Sequence, residues 1–545
     1  MSSAEVVAVY PNRIKIAVHN IGELADGDPV EVGSYLKIYD SLQGAIMAII
    51  ESYSIELRPS KEVEEDRQKV YIIEAVPLGF VDGDGRFSRG GGGIAIPPKK
   101  VSVAVKDEVQ RIYDTVETEK RFHFAQLAQD ISVDVPVDGD KFFSRHIAVV
   151  GSTGSGKSHA IARIIQTATQ IRDESYGEYS LNNAHVVIFD IHSEYGTAFP
   201  EANHLSVDSL ILPYWLLNAE ELQDLFIESN EEQSHNQIAI LKKSITENKR
   251  THFNGPEEKR DLIHYESPIF FEIQEVLDAI RVKNAERIGT PGKTTDRAGP
   301  LFGKLDNFIT RLENRVLDRR LDFLLGARAK QVDLETVLRQ FTGYNPDSLA
   351  NVTVIDLSGV PFEVLSITVS LVSRLLFDYS YYFKKNNASS LVETPLLLVY
   401  EEAHKYVPKS GLAKFSASRN SIERIAKEGR KYGITAAIVS QRPAEISETI
   451  FSQCSNFLAM RLTNPEDQNY VKRLLPDSLG PLTESLPVLS SGEALLLGDA
   501  AVMPSKVVME QARPAPSSSD VRYMAEWIKP WRDVQFVRVV EDWQR

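Results

Sequence analysis

Cysteine and long apolar segments are nearly absent from this 545-residue sequence. A single cysteine, Cys454, cannot form an internal disulfide and fits a reducing compartment. No apolar run approaches the roughly 18 residues that span a bilayer. The first residues, MSSAEVVAVYPNR, lack the basic and then apolar order of a secretory signal. No internal repeat is visible. We therefore expect a soluble, cytoplasmic protein with no membrane segment.

The net charge of −15 argues against a surface that binds nucleic acid everywhere. It does not exclude a basic lining in a channel or groove, because local charge is what contacts phosphate. The hydrophobic content of 43% allows a large core and about two to four domains.

Two patterns of secondary structure divide the chain. Residues 6–9, 14–18, 36–39, 46–50 and 70–75 read as short strands separated by turns such as DGDP (26–29) and DGDG (82–85), which predicts a small β-barrel. The glycines at 90–93 read as a loop. From residue 147 onward, apolar strands alternate with helical stretches, which predicts an α/β fold with a mostly parallel sheet. Those strands are predicted at 147–150, 185–189, 352–357, 396–400, 434–440, 456–461 and 494–497. A charged, helix-rich stretch at 203–348 reads as an insertion, with helical periodicity at 220–241 and 303–325.

A phosphate-binding loop is the most specific motif. The sequence GSTGSGKS (151–158) follows an apolar strand and precedes a helical run at 159–171. Such a backbone wraps a phosphate with successive N–H groups, while Lys157 reaches the β- and γ-phosphates and Ser158 holds Mg²⁺. A Gly/Ser-rich turn without a ligand would not need this strand and helix. The predicted ATP-binding residues are Gly151, Ser152, Thr153, Gly154, Ser155, Gly156, Lys157, Ser158 and His159.

An acidic pair ends the strand LLLVY at 396–400. Glu401 is predicted to serve the metal, usually through water, and Glu402 to act as the general base that polarises the attacking water. The alternative is an ordinary acidic helix start, which the upstream phosphate loop disfavours.

A polar cluster, Asp190, His192 and Glu194, follows another predicted strand, where ligands bind in open α/β sheets. If the strand continued, alternate spacing would put the three side chains on one side. They are interpreted as a second shell around Mg²⁺ or a coupling element. A metal site and a plain loop are the alternatives.

Basic residues and a glutamine follow the acidic pair. Gln441, at the end of the strand at 434–440, is predicted to sense the γ-phosphate, and Arg424 or Arg430 to act as an arginine finger on a neighbouring site. Taken singly, each arginine fits a solvated helix face better, and the finger interpretation depends on the basic cluster beside Gln441. A basic loop at 405–419 could track DNA phosphates from a pore or simply be exposed. Its candidate DNA contacts are Lys405, Lys409, Lys414 and Arg419.

Together these motifs resemble the HerA family of hexameric DNA translocases, which are RecA-like ATPases of the additional-strand group, alongside FtsK and the conjugation ATPases. The matching segments are RHIAVVGSTGSGKS (145–158), FDIHSEY (189–195), EEAHKYVP (401–408), EGRKYGI (428–434) and SQRPAEI (440–446). One departure is Glu401-Glu402, where many relatives of the wider group have Asp-Glu.

The resemblance implies a domain plan. It consists of a HAS-barrel-like domain at 1–110, a connector at 111–143, an ATPase core at 144–202 and 349–510, the insertion at 203–348, and a C-terminal arm at 511–545 that packs on something, for example a neighbouring subunit.

The resemblance also implies ATP and Mg²⁺ as cofactors and a homohexamer with ATP sites between subunits. Double-stranded DNA would occupy the central channel, and Arg145 would lie near the nucleotide. The partner would be a NurA-type nuclease or a defence effector, in DNA end processing or anti-phage defence. A nucleotide-controlled scaffold that activates an effector is the main alternative. A membrane-anchored DNA pump is disfavoured because no spanning segment is visible.

Overall fold

The computed structural model describes most of the chain in fourteen stretches. They are residues 4–10, 12–25, 30–39, 44–59, 67–89, 100–227, 234–288, 297–345, 348–387, 393–409, 417–474, 480–518, 521–532 and 536–544. The predicted turn at 26–29, the glycines at 90–93 and the candidate DNA contact Lys414 lie outside them.

The N-terminal part is a 7-stranded antiparallel sheet that curls into a half-barrel around its own apolar core. Its strands are β1 (Ala4–Tyr10), β2 (Arg13–Val18), β3 (Tyr35–Tyr39), β4 (Ala45–Pro59), β5 (Arg67–Val81), β6 (Phe87–Ser88) and β7 (Lys100–Val103). The order is β1-β2-β5-β4-β3-β7, with β6 beside β5. Alternate residues such as Ile14 and Ile16 fill the interior. All five strands predicted here are present, and β4 and β5 form a longer hairpin than expected.

The segment after the half-barrel contributes one strand, β9 (Ala125–Leu127), to the main sheet. It contains α2 (Lys106–Tyr113), β8 (Arg121–Phe122), β9 (Ala125–Leu127), β10 (Val137–Asp138) and α3 (Gly139–Phe143), while α1 (Ile21–Ala25) lies within the half-barrel region. β9 pairs with the last strand of the main sheet. The stretch interpreted as a connector therefore contributes an edge strand.

A 10-stranded mixed sheet forms the centre of the molecule. Its further strands are β11 (His146–Val150), β12 (His185–Asp190), β13 (Asn203–Leu205), β18 (Val352–Asp356), β19 (Leu396–Tyr400), β20 (Ile434–Ser440), β21 (Cys454–Met460), β22 (Glu493–Gly498) and β23 (Ser505–Met509). The order is β13-β18-β12-β19-β20-β11-β21-β22-β23-β9, parallel from β13 to β21 and antiparallel beyond. The continuous apolar strands are buried on both faces, as parallel sheets require. The predicted α/β class is confirmed, and β20 lies between β11 and β19.

Helices cover both faces of this sheet. They are α4 (Lys157–Thr169), α13 (Phe362–Asn386), α14 (Ala417–Glu428), α15 (Glu448–Ser452), α16 (Pro465–Leu474) and α17 (Gly480–Thr483). α14 packs along α13, where serines meet in pairs: Ser366 with Ser418 and Ser370 with Ser421, each pair at 2.8 Å between hydroxyl oxygens. Small polar side chains let the two helix backbones approach closely.

The insertion between β13 and β18 is mainly helical. Its helices are α5 (Ala219–Phe226), α6 (Ser234–His252), α7 (Glu257–Arg260), α8 (Ile273–Asn284), α9 (Asp306–Leu317), α10 (Asp322–Leu325), α11 (Ala327–Gln331) and α12 (Leu334–Thr342), with two hairpins, β14 (Arg287–Ile288) with β15 (Arg297–Ala298) and β16 (Tyr344–Asn345) with β17 (Ser348–Leu349). Its apolar residues belong to the same core cluster as one face of the main sheet. Glu221, fully buried, pairs with Arg374 of α13 at 2.9 Å and ties the insertion to the core.

The C-terminal segment first follows the core and then exposes apolar side chains. Gln166 of α4 donates to the Pro514 carbonyl at 2.8 Å, and the Ser517 amide donates to the Glu194 carbonyl at 2.8 Å. Two helices follow, α18 (Tyr523–Trp527) and α19 (Phe536–Trp543). No helix in the described part of the chain combines the length and the apolar character needed to cross a bilayer.

Candidate active site

The glycine-rich loop joins β11 to α4 at the carboxyl edge of the parallel strands. Gly154 and Gly156 have φ angles of 71° and 104°, values that side chains disfavour. A Cβ on Gly151 would come within 2.5 Å of Ser155 Oγ, so the turn has no room for a side chain there. The loop thus presents backbone N–H groups and the α4 N-terminus to one space, as anion binding requires. His159 lies in the first turn of α4.

Lys157 and Ser158 begin α4 and face the polar groups of other strands. Lys157 is 7% exposed, and its Nζ donates to the Ser152 carbonyl at 3.4 Å. Ser158 Oγ donates to Glu194 Oε2 at 2.5 Å. A buried ammonium with one long hydrogen bond is available for phosphate oxygens.

The acidic pair lies at the end of β19, and its members have different surroundings. Glu401 accepts a hydrogen bond from Tyr195 Oη at 2.8 Å, and burial together with the Glu402 charge raises the pKa of Glu401 to about 8. Burial also opposes ionisation of Glu402, but the nearby His404 imidazole and the Lys157 charge leave the pKa of Glu402 below its usual value. Glu402 is therefore the ionised carboxylate, as a general base must be.

Gln441 connects the acidic pair to the phosphate loop. It follows β20, the strand between β11 and β19. Its Nε2 donates to Glu402 Oε1 at 2.7 Å, and its Oε1 accepts from Thr153 Oγ1 at 2.5 Å. Any group bound at Thr153 thus meets the side chain that holds Glu402.

Asp190, His192 and Glu194 do not alternate along one strand, because the strand does not continue past Asp190. β12 ends at Asp190, and the chain turns sharply at Ser193, which has a φ of 54°. The buried Asp190 carboxylate accepts hydrogen bonds from backbone N–H groups of the turn, including the one from Tyr195 N at 2.9 Å. The three side chains separate: Glu194 contacts Ser158, and His192 lies 3.0 Å from Lys405 Nζ.

The candidate DNA-binding residues that the structure describes all have protein partners. Lys405 contacts His192, and Lys409 lies over the Tyr470 ring with its Nζ 5.1 Å from the centroid. Arg419 lies on α14 and not in a loop, because the buried Ile422 and Ile425 give this segment a helical apolar face. Arg419 pairs with Glu423 at 3.8 Å.

The three arginines differ in placement. Arg424 stacks 4.2 Å above the Phe377 ring and lies 3.6 Å from Asp378. Arg430 is exposed in the turn before β20, and within the described residues no ion pair holds it. Arg145 precedes β11 and pairs with Asp499 at 3.2 Å. Since β11 separates it from the loop by roughly 15 Å of strand, Arg145 does not contact the nucleotide site of its own chain.

The residues present fit a nucleoside triphosphate with a magnesium ion. In the described stretches no three His, Cys, Asp or Glu side chains form a group that could hold a metal alone. Phosphate and water oxygens would therefore complete the coordination around Ser158, as Mg²⁺ prefers. Ser155 Oγ is buried without a hydrogen-bond partner, and so is Glu402 Oε2, although His404 Nδ1 lies 3.2 Å from it. These unsatisfied oxygens mark a site built for further ligands.

Two contacts of the site were not predicted from the sequence. Tyr195 binds Glu401 and His404 approaches Glu402, and both residues lie inside the motif segments. The carboxyl ends of neighbouring parallel strands meet at one edge of a sheet. This rule indicates that the segments after β12 and β19 lie close together, once the two strands are known to be neighbours.

Known proteins resemble the chain over most of its length. The family model described as the central domain of helicase HerA matches residues 122–376. Probable helicase MJ1565 of Methanocaldococcus jannaschii is 24% identical over 515 residues, which cover 92% of this chain and 90% of the relative. The DNA double-strand break repair helicase HerA of Sulfurisphaera tokodaii is 25% identical, with 81% and 79% covered.

Among solved structures, VirB4 of Thermoanaerobacter pseudethanolicus aligns with a TM-score of 0.48 and 13% identity over 73% of this chain and 98% of its own. The phosphate loop lies inside the residues that the family model matches, whereas Glu401, Glu402 and Gln441 lie beyond residue 376. In sequence the chain is therefore similar to the HerA helicases, and its fold is that of a P-loop ATPase.

Proposed function

We propose that this protein is an ATP-driven motor that moves along or unwinds double-stranded DNA and that works as a homohexamer in the cytoplasm. The carrying observation is the hydrogen-bonded bridge from Thr153 through Gln441 to Glu402, which joins the phosphate loop to the general base. Relatives named as helicases support the DNA substrate. A nuclease of NurA type, or an effector in anti-phage defence, is the proposed partner.

The site residues divide the chemistry among them. Lys157 and the loop N–H groups hold the β- and γ-phosphates, and Glu402 takes a proton from the attacking water. A bound Mg²⁺, held by Ser158 and served through water by Glu401, would neutralise charge on the phosphates. When ATP binds, Gln441 gives up its hydrogen bond with Thr153 and forms one with the γ-phosphate. This change alters its contact with Glu402, so the position of Glu402 depends on the bound nucleotide.

A second copy of the chain would complete the site. Arg430 is exposed at the amino edge of the parallel strands, opposite its own phosphate loop, so it can reach only a neighbour's nucleotide. This placement favours Arg430 over Arg424 as the trans-acting finger, because Arg424 is already held by Phe377 and Asp378. In a ring, Arg145 would lie on the same edge.

The test is the ATPase rate of the wild type, Lys157→Ala and Glu402→Gln, each with and without double-stranded DNA. We expect DNA to stimulate the wild type and both substitutions to lower kcat by about 100-fold or more. Glu402→Gln should still gain thermal stability from ATP, whereas Lys157→Ala should not. A wild type that never hydrolyses ATP contradicts the motor, and hydrolysis indifferent to DNA favours a scaffold.

A further inference from the structure

His404 lies beside Glu402 but takes no part in the phosphate binding or the proton transfer proposed for the other site residues. It sits in the short turn that follows the acidic pair, and its side chain is 14% exposed. Its Nδ1 lies 3.2 Å from Glu402 Oε2 and 3.2 Å from Ser440 Oγ. These contacts place an imidazole nitrogen between the ends of β19 and β20.

The chemistry of the two neighbours indicates which form of the ring is present. A lone pair on Nδ1 would face a carboxylate oxygen and be repelled, whereas an Nδ1–H attracts both Glu402 and the Ser440 hydroxyl oxygen. Lys157 and His192 also face this pair, and both lower the pKa of Glu402. The contact to Glu402 is close but poorly aligned, as catalytic hydrogen bonds often are before the substrate binds.

The two oxygens of Glu402 then have separate donors. Gln441 Nε2 donates to Oε1 at 2.7 Å, and His404 Nδ1 faces Oε2. The backbone of Glu402 is also constrained, with a φ of 47°. When Gln441 turns to the γ-phosphate, His404 is the donor that still holds the carboxylate.

We propose that His404 is a positioning residue that orients Glu402 during ATP hydrolysis, an inference that rests on the proposed function. In that step, water oxygen bonds to the γ-phosphorus and the bond to the bridging oxygen of ADP breaks, with its electron pair leaving on ADP. The water proton passes to the carboxylate of Glu402. His404 neither receives this proton nor touches ATP, and its Nδ1–H keeps the carboxylate aimed at the water.

A purely structural role is the competing explanation, because His404 also reaches Ser440. The two roles differ in what a substitution changes. If His404 orients Glu402, its substitution misplaces the carboxylate and lowers kcat alone. If His404 only stabilises the turn that follows the acidic pair, its substitution also lowers stability or nucleotide affinity. Asparagine can place an amide N–H near the position of Nδ1, but leucine cannot.

The experiment measures kcat and KM for ATP in His404→Leu and His404→Asn, in the wild-type background and in Glu402→Gln. We expect His404→Leu to lower kcat about 10- to 100-fold with an unchanged KM, and His404→Asn to recover most of it. In the Glu402→Gln background, His404→Leu should cause no further loss. His252→Leu, a histidine of the insertion paired with Glu275, is the matched control and should keep the wild-type kcat.

Each other outcome has a definite meaning. A wild-type kcat in His404→Leu overturns the assignment, as does a further loss in the Glu402→Gln background. A raised KM or a lower melting temperature in His404→Leu, without recovery in His404→Asn, assigns the histidine to structure and also overturns it. A wild type without ATPase activity overturns the proposed function itself, and the assignment with it.

Discussion

The surroundings of the two adjacent glutamates, Glu401 and Glu402, shift their pKa values in opposite directions. Glu401 is fully buried, and its pKa is raised to about 8, so the unliganded protein holds it protonated near neutral pH. Glu402, with its pKa lowered by His404 and Lys157 despite burial, stays ionised. Carboxyl groups whose pKa values diverge in this way commonly divide acid, base and metal roles. This difference supports the proposed role of Glu402 as the general base.

A buried lysine of the helical insertion is expected to make stability depend on pH. Lys249 of α6 donates to the carbonyls of Tyr265 at 2.7 Å and Ser267 at 2.6 Å. Burial, assisted by the Arg374 charge, lowers the pKa of Lys249 to about 7. An unfolded lysine titrates near 10.4. Between these values the unfolded chain binds more protons than the folded one, so stability rises with pH.

We expect the free energy of unfolding of the wild type to rise by about 2 kcal/mol between pH 7 and pH 9 from this residue. Urea unfolding at both pH values measures it. Lys249→Met should remove that rise, whereas Lys243→Met, an exposed lysine of the same helix, should keep it. An equal pH dependence in both variants would contradict the prediction.

At the scale of elements, α14 and the turn after it carry two arginines with different tasks. Arg424→Ala removes a stacking contact with Phe377 and a neighbour of Asp378, so we expect a loss of about 1 kcal/mol of stability and a nearly normal ATPase rate. Arg430→Ala removes no ion pair among the described residues. We expect it to keep its stability and lose ATPase activity by about 1000-fold, as loss of a trans-acting arginine does.

Mixing subunits separates a trans role from a cis role. Arg430→Ala subunits keep an intact phosphate loop, and Lys157→Ala subunits keep an intact Arg430. If the finger acts in trans, a mixed ring contains some complete sites, and the ATPase rate of the mixture should exceed that of either variant alone. A mixture no faster than its components would place Arg430 outside the neighbour's site.

Elements were more predictable than the contacts between them. The strands of the main sheet that carry motifs are continuous apolar runs, and the sequence reveals such runs because parallel strands are buried on both faces. The sequence does not reveal β9 and β13 because they are edge strands of three residues each, or β23 because its buried residues alternate with half-buried ones. The phosphate loop can be predicted because its residues are close together in the sequence. The Tyr195–Glu401 contact cannot, because it joins residues 206 positions apart that come together only through the strand order.

At the scale of the whole molecule, α19 presents an unpaired apolar face. Phe536 and Trp543 are 70% and 86% exposed, although they belong to one short amphipathic helix. Exposed aromatic clusters of this kind mark association surfaces. Because the segment leaves the core beside Glu194 in the active site, we expect it to contact another copy of the chain.

Native mass spectrometry with ATP tests this expectation. The wild type should give a hexamer, and Phe536→Asp combined with Trp543→Asp should shift the population toward smaller species. The melting temperature of the dissociated chain should stay unchanged, because both side chains are exposed within one subunit. A control pair on another exposed site, Leu262→Asp with Val282→Asp, should leave the hexamer intact. A wild type that remains monomeric with ATP contradicts sites shared between subunits.

The pairing of β11 has a consequence for how the protein is made. Ile147 of β11 lies beside Ala437 of β20, 290 positions later in the chain (437 − 147). At about 5–20 residues per second, roughly 15 to 60 s of synthesis separate the two strands. During that interval the ribosome has released an apolar strand and a glycine-rich loop that have no sheet to join. Nucleotide cannot stabilise the nascent chain until most of it has been translated, and this long wait is when chaperones would be needed most.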